Sequence, residues 1–397
     1  MLSLSMIVRD EEERLERCLR SVAGFVDEMV VVDTGSSDGT VAIAEACGAV
    51  VHHLPWPGDF APARNRALEW VRGDWVLVLD ADEWLSPEAR EPLQELMADP
   101  DALLITLLRE ERGSRQSPYS SVSRLFRRHP AIRWSRPYHA MVDDSVQELL
   151  QREPGWRLLQ CGVPALIHDG YRPELLAAST KAARLRAAME AELRRHPGDP
   201  YASAKLGGLE LSEGRREKAI ALLEQGLRQC AASRQPERYE LLLHLAMARS
   251  SGDTNLAASL YREAIDLLPD PRLSLAARIN LAALLLGEGA LDEATALARE
   301  TTQIAPELAI GWFNLGLIER QRGRPAAAVE AYRAALRIDP EQAETHQNLA
   351  VALLLCGDIP GAREGFRRAI DLLGRQGRAR EASDLQRQAG GLVKLDP

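Results

Sequence analysis

The sequence predicts two folds in one chain: an α/β domain on a mostly parallel sheet, then an all-α superhelix. Three observations carry this. Over the first 170 or so residues, short and nearly continuous apolar runs alternate with helix-like segments, the pattern of a sheet covered on both faces. From about Pro200 the strand-like runs vanish. In their place, Asn314, Leu315, Gly323, Ala328, Tyr332 and Ala335 return 34 residues later as Asn348, Leu349, Gly357, Ala362, Phe366 and Ala369.

In chain order, LSLSMIV (Leu2–Val8) is a compact apolar run, read as a buried strand. The helix that follows, Glu11 to Val22, places Leu15, Cys18, Leu19 and Val22 on one face, because positions i, i+3, i+4 and i+7 align on a 3.6-residue period. EMVVVD (Glu28–Asp33) is the second strand, and TGSSDGT leads from it into a helix from Val41 to Cys47. AVVHHL (Ala49–Leu54), WVLVLD (Trp75–Asp80) and LLITLL (Leu103–Leu108) are the third to fifth strands. Sheets of this kind bind ligands at the carboxyl ends of their strands. A helix rich in Ala, Leu, Arg and Glu, from Pro173 to Arg195, joins the two halves, and HPGDP (His196–Pro200) ends it.

The repeat extends backwards as Asn280, Leu281, Gly289 and Ala294, with looser copies centred on Gly214/Ala219 and Gly252/Ala257. Its period and small-residue pattern resemble tetratricopeptide repeats, each a helix–turn–helix of 34 residues. Gly belongs in the turn, Ala where the two helices approach, and an aromatic between units. Five units begin near Pro200, Arg238, Leu275, Ala309 and Ala343, and Arg380 to Val393 serves as a capping helix, which such stacks need. The expected domain plan is 1–172 for the α/β domain, 173–199 for a linker helix, 200–376 for the repeats and 377–397 for the cap and tail.

Composition narrows the function. With 397 residues and 46% hydrophobic content the chain can bury more than one core. A formal net charge of −9 argues against a role gripping nucleic-acid phosphates. Cys18, Cys47, Cys161, Cys230 and Cys356 are scattered without a CxxC pair, so neither a zinc knot nor a disulfide framework is expected, and a reducing cytoplasm fits. The N-terminal apolar stretch is too short for a signal sequence, and no run approaches the roughly 18 apolar residues of a membrane span.

Three constellations carry chemistry. GDWVLVLDADEWL (Gly73–Leu85) ends an apolar strand in Asp80, Asp82 and Glu83. Clustered acids are costly unless a cation offsets them, so this is either a site for a hard divalent cation such as Mg²⁺ or Mn²⁺ or a solvated turn. VVVDTGSSDGT (Val30–Thr40) ends a strand in Asp33 and enters a helix through small polar residues. Such a turn suits an anionic ligand, and it equally suits a helix cap by Ser36, Ser37 or Asp38. In DFAPARNRALEW (Asp59–Trp70), Arg64, Asn65 and Arg66 begin a helix just ahead of the acidic strand.

The order SMIVRDEE, VVDTGSSDGT, ARN, LDADE resembles the family 2 glycosyltransferases of GT-A fold over roughly residues 1 to 170. It is closest to a cytoplasmic branch that often carries tetratricopeptide repeats behind the catalytic domain. The peptide S-glycosyltransferases that modify bacteriocin cysteines look similar. The resemblance implies a Rossmann-like GT-A catalytic domain, a nucleotide-sugar donor (UDP-sugar first) and Mg²⁺ or Mn²⁺. It places Asp33 and Thr34 at the base and ribose, with Val8, Glu11, Ser36 and Ala81 as further donor contacts. Arg64 and Asn65 would support the nucleotide, and Asp80 would sit by the ribose or a metal-bound water. Asp82 would ligate the metal, with His168 of LIHDGYRPE completing the site and Tyr171 closing over the sugar. Two departures stand out: Thr34 where many members have a second Asp, and Asp10 where Asn is usual.

The acceptor side is read from SRLFRRHPAIRWSRPYHAMVDD (Ser123–Asp144). His139 matches the branch's His, but Ala140 stands where a Glu is usual, which leaves Asp143, Asp144 or His139 as the general base, or an acceptor that ionises easily, such as a thiol. Most of Arg124, Arg127, Arg128, Arg133 and Arg136 are expected to be solvated, with some free to meet a diphosphate or an acidic acceptor. The expected function is metal-dependent, inverting transfer of a sugar to a peptide or protein side chain held by the repeats, through which the chain could also pair with a second copy. Alternatives are a lipid-linked or polysaccharide acceptor, and a non-catalytic repeat scaffold. A nucleotidyltransferase predicts a Gly-rich basic signature near the first strand, and SMIVRDEE has none.

Overall fold

The computed structural model describes residues 1–114, 116–136, 140–169 and 181–394. The chain forms two compact units, one of Met1–Ser114 with Pro118–Pro197 and one from Gly198 onward.

The first unit is built on an eight-stranded sheet in the order β3-β2-β1-β4-β7-β6-β8-β5. Its strands are β1 (Leu2–Val8), β2 (Glu28–Asp33), β3 (Val50–His53), β4 (Trp75–Val78), β5 (Glu83–Leu85), β6 (Ala102–Glu111), β7 (Tyr119–Arg127) and β8 (Arg157–His168). The first four pair in parallel. β7 then enters antiparallel to both β4 and β6, β6 and β8 run parallel, and β5 closes the edge antiparallel to β8. The sheet is therefore mixed beyond β4. The short β5 and the half-polar β7 and β8 carry little apolar alternation and are not legible as strands in the sequence.

Alternation along the parallel strands builds two cores. Leu2, Leu4, Met6 and Val8 join Val31, Leu77 and Leu79 on one face, where α1 (Leu15–Val22) inserts Leu15, Cys18, Leu19 and Val22. Val30, Val32, Val76 and Val78 point to the opposite face. There they meet Ala61, Ala67 and Val71 in and just after α3 (Phe60–Leu68), and Val146 and Leu149 of α5 (Asp143–Arg152). Strands buried on both faces read as unbroken apolar runs for this reason. α1 starts at Leu15, four residues after the expected Glu11, while α2 spans Thr40–Ala46 and α4 spans Arg90–Met97. α3 starts at Phe60, capped by Asp59, whose carboxylate accepts from the Ala61 N–H at 3.4 Å. Arg64 and Asn65 thus lie in the middle of this helix rather than at its start.

The second unit is helical. Helices pair as Pro200–Ser212 with Arg216–Gln229, Gln235–Arg249 with Thr254–Leu267, Leu275–Gly287 with Leu291–Ile304, Ala309–Gln321 with Pro325–Ile338, and Ala343–Leu355 with Ile359–Arg375, and Ala379–Gly390 follows them. Gly214, Gly289, Gly323 and Gly357 occupy the intra-pair turns at φ between +74° and +83°, a conformation that costs other residues about 1 kcal/mol or more. Ala294, Ala328 and Ala362 are fully buried where paired helices meet. The closest of these contacts surrounds Gly316, where a Cβ would lie 2.6 Å from Cδ1 of the buried Tyr332 ring. Gly316→Ala is expected to cost about 1–3 kcal/mol through overpacking, read as a lower melting midpoint; an unchanged midpoint would mean that the ring can withdraw.

Of the expected linker helix, Lys181–Arg195 is helical, and residues 173–180, with Tyr171, lie outside the described residues, as does His139.

Candidate active site

The carboxyl ends of β1, β2 and β4 lie side by side, with Val8 opposite Asp33 and Ser5 opposite Val78. Thr34 locks the first two: its N–H and its hydroxyl both donate to the Val8 carbonyl, at 2.9 and 3.0 Å. Asp33 is buried, and its carboxylate accepts from the N–H groups of Gly35 and Ser36 at 3.2 and 3.1 Å, with His53 Nδ1 at 3.3 Å. Burial alone would raise the pKa of Asp33, but the hydrogen bonds from Ser36, Gly35 and His53 hold it below the usual carboxylate range.

Reciprocal bonds zip the loop after β1 to the loop after β2. Ser36 Oγ accepts from the Asp10 N–H at 3.0 Å, Asp10 accepts from the Ser37 N–H at 2.8 Å, and the Glu11 N–H donates to Thr40 Oγ1 at 2.7 Å. Asp10 has φ +53°. Asn and Asp tolerate this left-handed conformation best among residues with a Cβ, so the Asp that departs from the usual Asn still fits the turn.

The acidic turn after β4 divides its three carboxylates among three tasks. Asp80 accepts from Arg64 Nη2 at 2.6 Å on one oxygen and from Arg124 Nη2 at 2.7 Å on the other. Against the effect of burial, the charges of Arg124 and Arg64 drive the Asp80 carboxyl far below its usual range. Both guanidiniums lie over the Trp134 ring, their centres 4.8 and 5.9 Å from its centroid. Glu83 is fully buried, accepts from the Asp80 N–H at 3.0 Å and is paired with Arg109. Ala81, between them, is buried against the core under α1.

Asp82 alone of the three faces a different neighbour. β5 pairs with β8, and the Asp169 N–H donates to the Asp82 carbonyl at 3.1 Å. His168 Nε2 consequently lies 3.4 Å from Asp82 Oδ2. The other ring nitrogen, Nδ1, is 2.5 Å from Glu111 Oε2. Burial would push the His168 pKa down, but the hydrogen bonds to Asp82 and Glu111 outweigh it and push it up to about 9. Against burial, His168 and Arg109 pull the Glu111 carboxyl down to about 2. Arg14, paired with Glu11 at 2.6 Å, comes to 3.8 Å from Asp82. Burial raises the Glu11 pKa, and Arg14 opposes that rise.

Among the described residues no three His, Cys, Asp or Glu side chains converge as a ligand set. Asp82 and His168 offer one carboxylate oxygen and one imidazole nitrogen to a shared space, a donor pair that suits Mn²⁺ or Mg²⁺ when phosphate oxygens and water supply the remaining positions.

Asn65 is engaged within the protein. Its amide donates to the Trp134 carbonyl at 2.9 Å and accepts from the Trp134 N–H at 2.8 Å, which holds the Trp134 segment beside α3. Asp143 and Asp144 stand in the first turn of α5. Asp143 accepts from Ser123 Oγ at 2.7 Å, while Asp144 takes both nitrogens of an Arg136 fork at 2.7 and 3.1 Å, and Ser135 Oγ at 2.8 Å. Ala140 packs at the margin of the core on the α3 and α5 side.

The arginines of residues 124–136, expected to be mostly solvated, are largely engaged. Arg124 holds Asp80, and Arg127 donates to the carbonyls of Ala102, Asp99 and Pro100. Arg128 donates to the Gly73 carbonyl at 2.9 Å, and Arg136 holds Asp144. Arg133 is exposed. Strand β7 carries the first of them past the β4 end, a placement with no local signature.

Residues 3–157 match glycosyl transferase family 2, and residues 316–357 match the TPR repeat. Over 98% of its length the chain is 43% identical to a TPR repeat-containing protein of Synechococcus elongatus, 97% of which is covered. The chain belongs to the TPR repeat-containing proteins, and residues 3–157 form a glycosyl transferase family 2 domain. An uncharacterized glycosyltransferase of Rickettsia bellii is 34% identical over 36% of the chain and 52% of its own length. Glycosyltransferase SunS, encoded by a Bacillus subtilis prophage, is 25% identical over 50% of the chain and 46% of its own. Among solved structures, MamA from Desulfovibrio magneticus RS-1 is similar at a TM-score of 0.38 and 24% identity, over 44% of this chain and 97% of that one. The glycosyl transferase family 2 match falls in the first unit and the TPR match in the second. Among the described residues no helix is long and apolar enough to cross a membrane.

Proposed function

We propose that the enzyme transfers a sugar, with inversion, from a nucleotide-sugar donor to a peptide or protein side chain, and that Mg²⁺ or Mn²⁺ assists the departure of the nucleotide. The observation that carries this reading is the meeting of Asp82 and His168 across β5 and β8, 3.4 Å apart and beside the ends of the parallel strands. When bound, the cation supplies Lewis-acid stabilisation of charge developing on the leaving diphosphate.

The chain's own residues supply the rest. The rigid pair of loops after β1 and β2, zipped through Ser36, Asp10 and Thr40, forms a wall for the base and ribose around Val8, Glu11, Asp33 and Thr34. Thr34 spends its hydroxyl on the Val8 carbonyl, so base selection falls to the groups around it; a UDP-sugar is the donor we favour. Arg64 and Asn65 act on the donor indirectly: Arg64 fixes Asp80, and Asn65 fixes the Trp134 segment. For the proton of the acceptor, the candidates are Asp143, Asp144 and His139; a fork of Arg136 holds both Asp144 oxygens, and Ser123 Oγ donates to Asp143. A thiol acceptor relaxes the need for a strong base, as its pKa of about 8.5 lies near neutrality. The repeats suit an extended peptide chain or a second copy of the protein. Five scattered cysteines without a CxxC pair accord with a reducing compartment such as the cytoplasm.

Titration calorimetry with UDP-, GDP- and dTDP-sugars, each with and without Mn²⁺, tests the donor. Binding of a UDP-sugar that strengthens at least about tenfold with Mn²⁺, or about 1.4 kcal/mol, is the expected result. Absence of metal-dependent binding by all three would sink the reading.

A further inference from the structure

We infer that Glu111 is a positioning residue for the metal site: it holds His168 Nδ1 so that Nε2 is the nitrogen presented beside Asp82. The inference rests on the metal-dependent reading above and adds a residue that no motif indicates. Glu111 ends β6 and is Cα-paired with His168 at the end of β8, while His168 is paired on its other side with Glu83 of β5. Three strand ends thus bring a carboxylate, an imidazole and the acidic turn into one row.

Glu111 has little freedom to do anything else. It is 4% exposed, and a buried carboxylate is tolerable only when its oxygens are bonded. Oε1 accepts from Arg109 Nε at 2.9 Å, pairs with Arg109 Nη2 at 2.7 Å, and accepts from Ser120 Oγ. Arg109 is itself held by the fully buried Glu83. The second oxygen is left for His168 Nδ1, at 2.5 Å. An imidazole whose Nδ1 proton is committed to a carboxylate can offer a lone pair only from Nε2. That nitrogen is the one 3.4 Å from Asp82 Oδ2. Carboxylate–histidine pairs of this kind orient metal-binding imidazoles and raise their basicity, and their loss typically weakens metal binding about 10–100-fold.

A purely structural Glu111 predicts something different: a less stable protein whose folded fraction binds metal as before. Calorimetric titration of the full chain with Mn²⁺, in the presence of UDP, separates the two. Glu111→Ala is expected to weaken Mn²⁺ binding about 10–100-fold, and Glu111→Gln, which keeps an acceptor for Nδ1–H, to recover part of that loss. Wild-type affinity in a folded Glu111→Ala protein would overturn the assignment. Should that variant fail to fold, the ¹⁵N-resolved imidazole spectrum of the Zn²⁺-loaded wild-type protein decides: a proton on His168 Nδ1 supports the inference, and a proton on Nε2 overturns it. A wild-type chain that binds no divalent cation would remove the metal reading together with this one, whereas unchanged binding by Glu111→Ala removes this one alone.

Discussion

Asp82→Asn is expected to lower turnover by at least about 100-fold while leaving the protein folded. The scale is that of removing one preorganised electrostatic contact from a charge-developing transition state. The fold should survive, because Asp82 is the carboxylate of the acidic turn that the structure uses least. Its side chain is 25% exposed, Arg14 approaches it only to 3.8 Å, and His168 keeps its second partner, Glu111, at 2.5 Å. The amide loses the negative charge that a hard cation requires and keeps the shape. Transfer assays across a Mn²⁺ titration, with a thermal melt on the same samples, check both halves. Near-normal turnover at saturating Mn²⁺ would assign Asp82 another task; a large fall in melting temperature would make it a structural residue.

Asp80→Asn, two positions earlier, is expected to behave in the opposite way and act first on stability. One carboxylate separates two guanidiniums whose side chains are 8% and 13% exposed. Without its charge Arg64 and Arg124 repel each other, and the nearest remaining acid, Glu83, is 3.9 Å from Arg124. Removing one partner from a fully buried pair costs about 3–5 kcal/mol. Asp80 is 37% exposed, so water screens part of the interaction and the expected loss is about 2–3 kcal/mol. For a unit of this size that lowers the melting midpoint by roughly 5–10 °C. Activity should fall too, through displacement of α3 and Trp134 rather than loss of the cation, so Mn²⁺ affinity should stay within a few-fold of wild type. A melting curve that superimposes on wild type would show that the two arginines are neutralised elsewhere.

The pair of variants bears on the acidic turn as a whole. Three adjacent acids pose one question in the sequence and receive three answers in the structure: Asp80 holds two arginines, Asp82 meets a histidine, and Glu83 is sealed inside with Arg109. The turn, read from the sequence as either a metal site or a solvated turn, is in the structure largely an ion-pair cluster, with Asp82 left to His168.

Much of the fold was legible from local pattern. β1, β2 and β4 declared themselves as apolar runs because both sheet faces are covered, and α1 by four apolar residues at helical spacing. The repeats were legible in phase, since four of the five helix pairs place Gly in the same left-handed turn and every pair places a buried Ala at the matching position. The acidic turn and the order of the motifs were likewise visible. What stayed hidden depends on pairing over distance. Arg64 reaches Asp80 across 16 positions, Arg124 across 44, and Glu111 meets His168 across 57. Arg127 and Arg128, which read as a solvated basic patch, spend their donors on carbonyls of distant loops.

The sequence by itself determined which segments are strands and helices where periodicity is strong, the phase of the repeats, and the positions at which acids gather beside a sheet. Those properties follow from contacts between near neighbours along the chain. Only the tertiary structure decided which acid meets His168, which arginine neutralises which carboxylate, and which nitrogen of His168 is presented beside Asp82. Charge pairing depends on separation in space and on access to water, and the antiparallel entry of β7 and the closing of β5 on β8 set both.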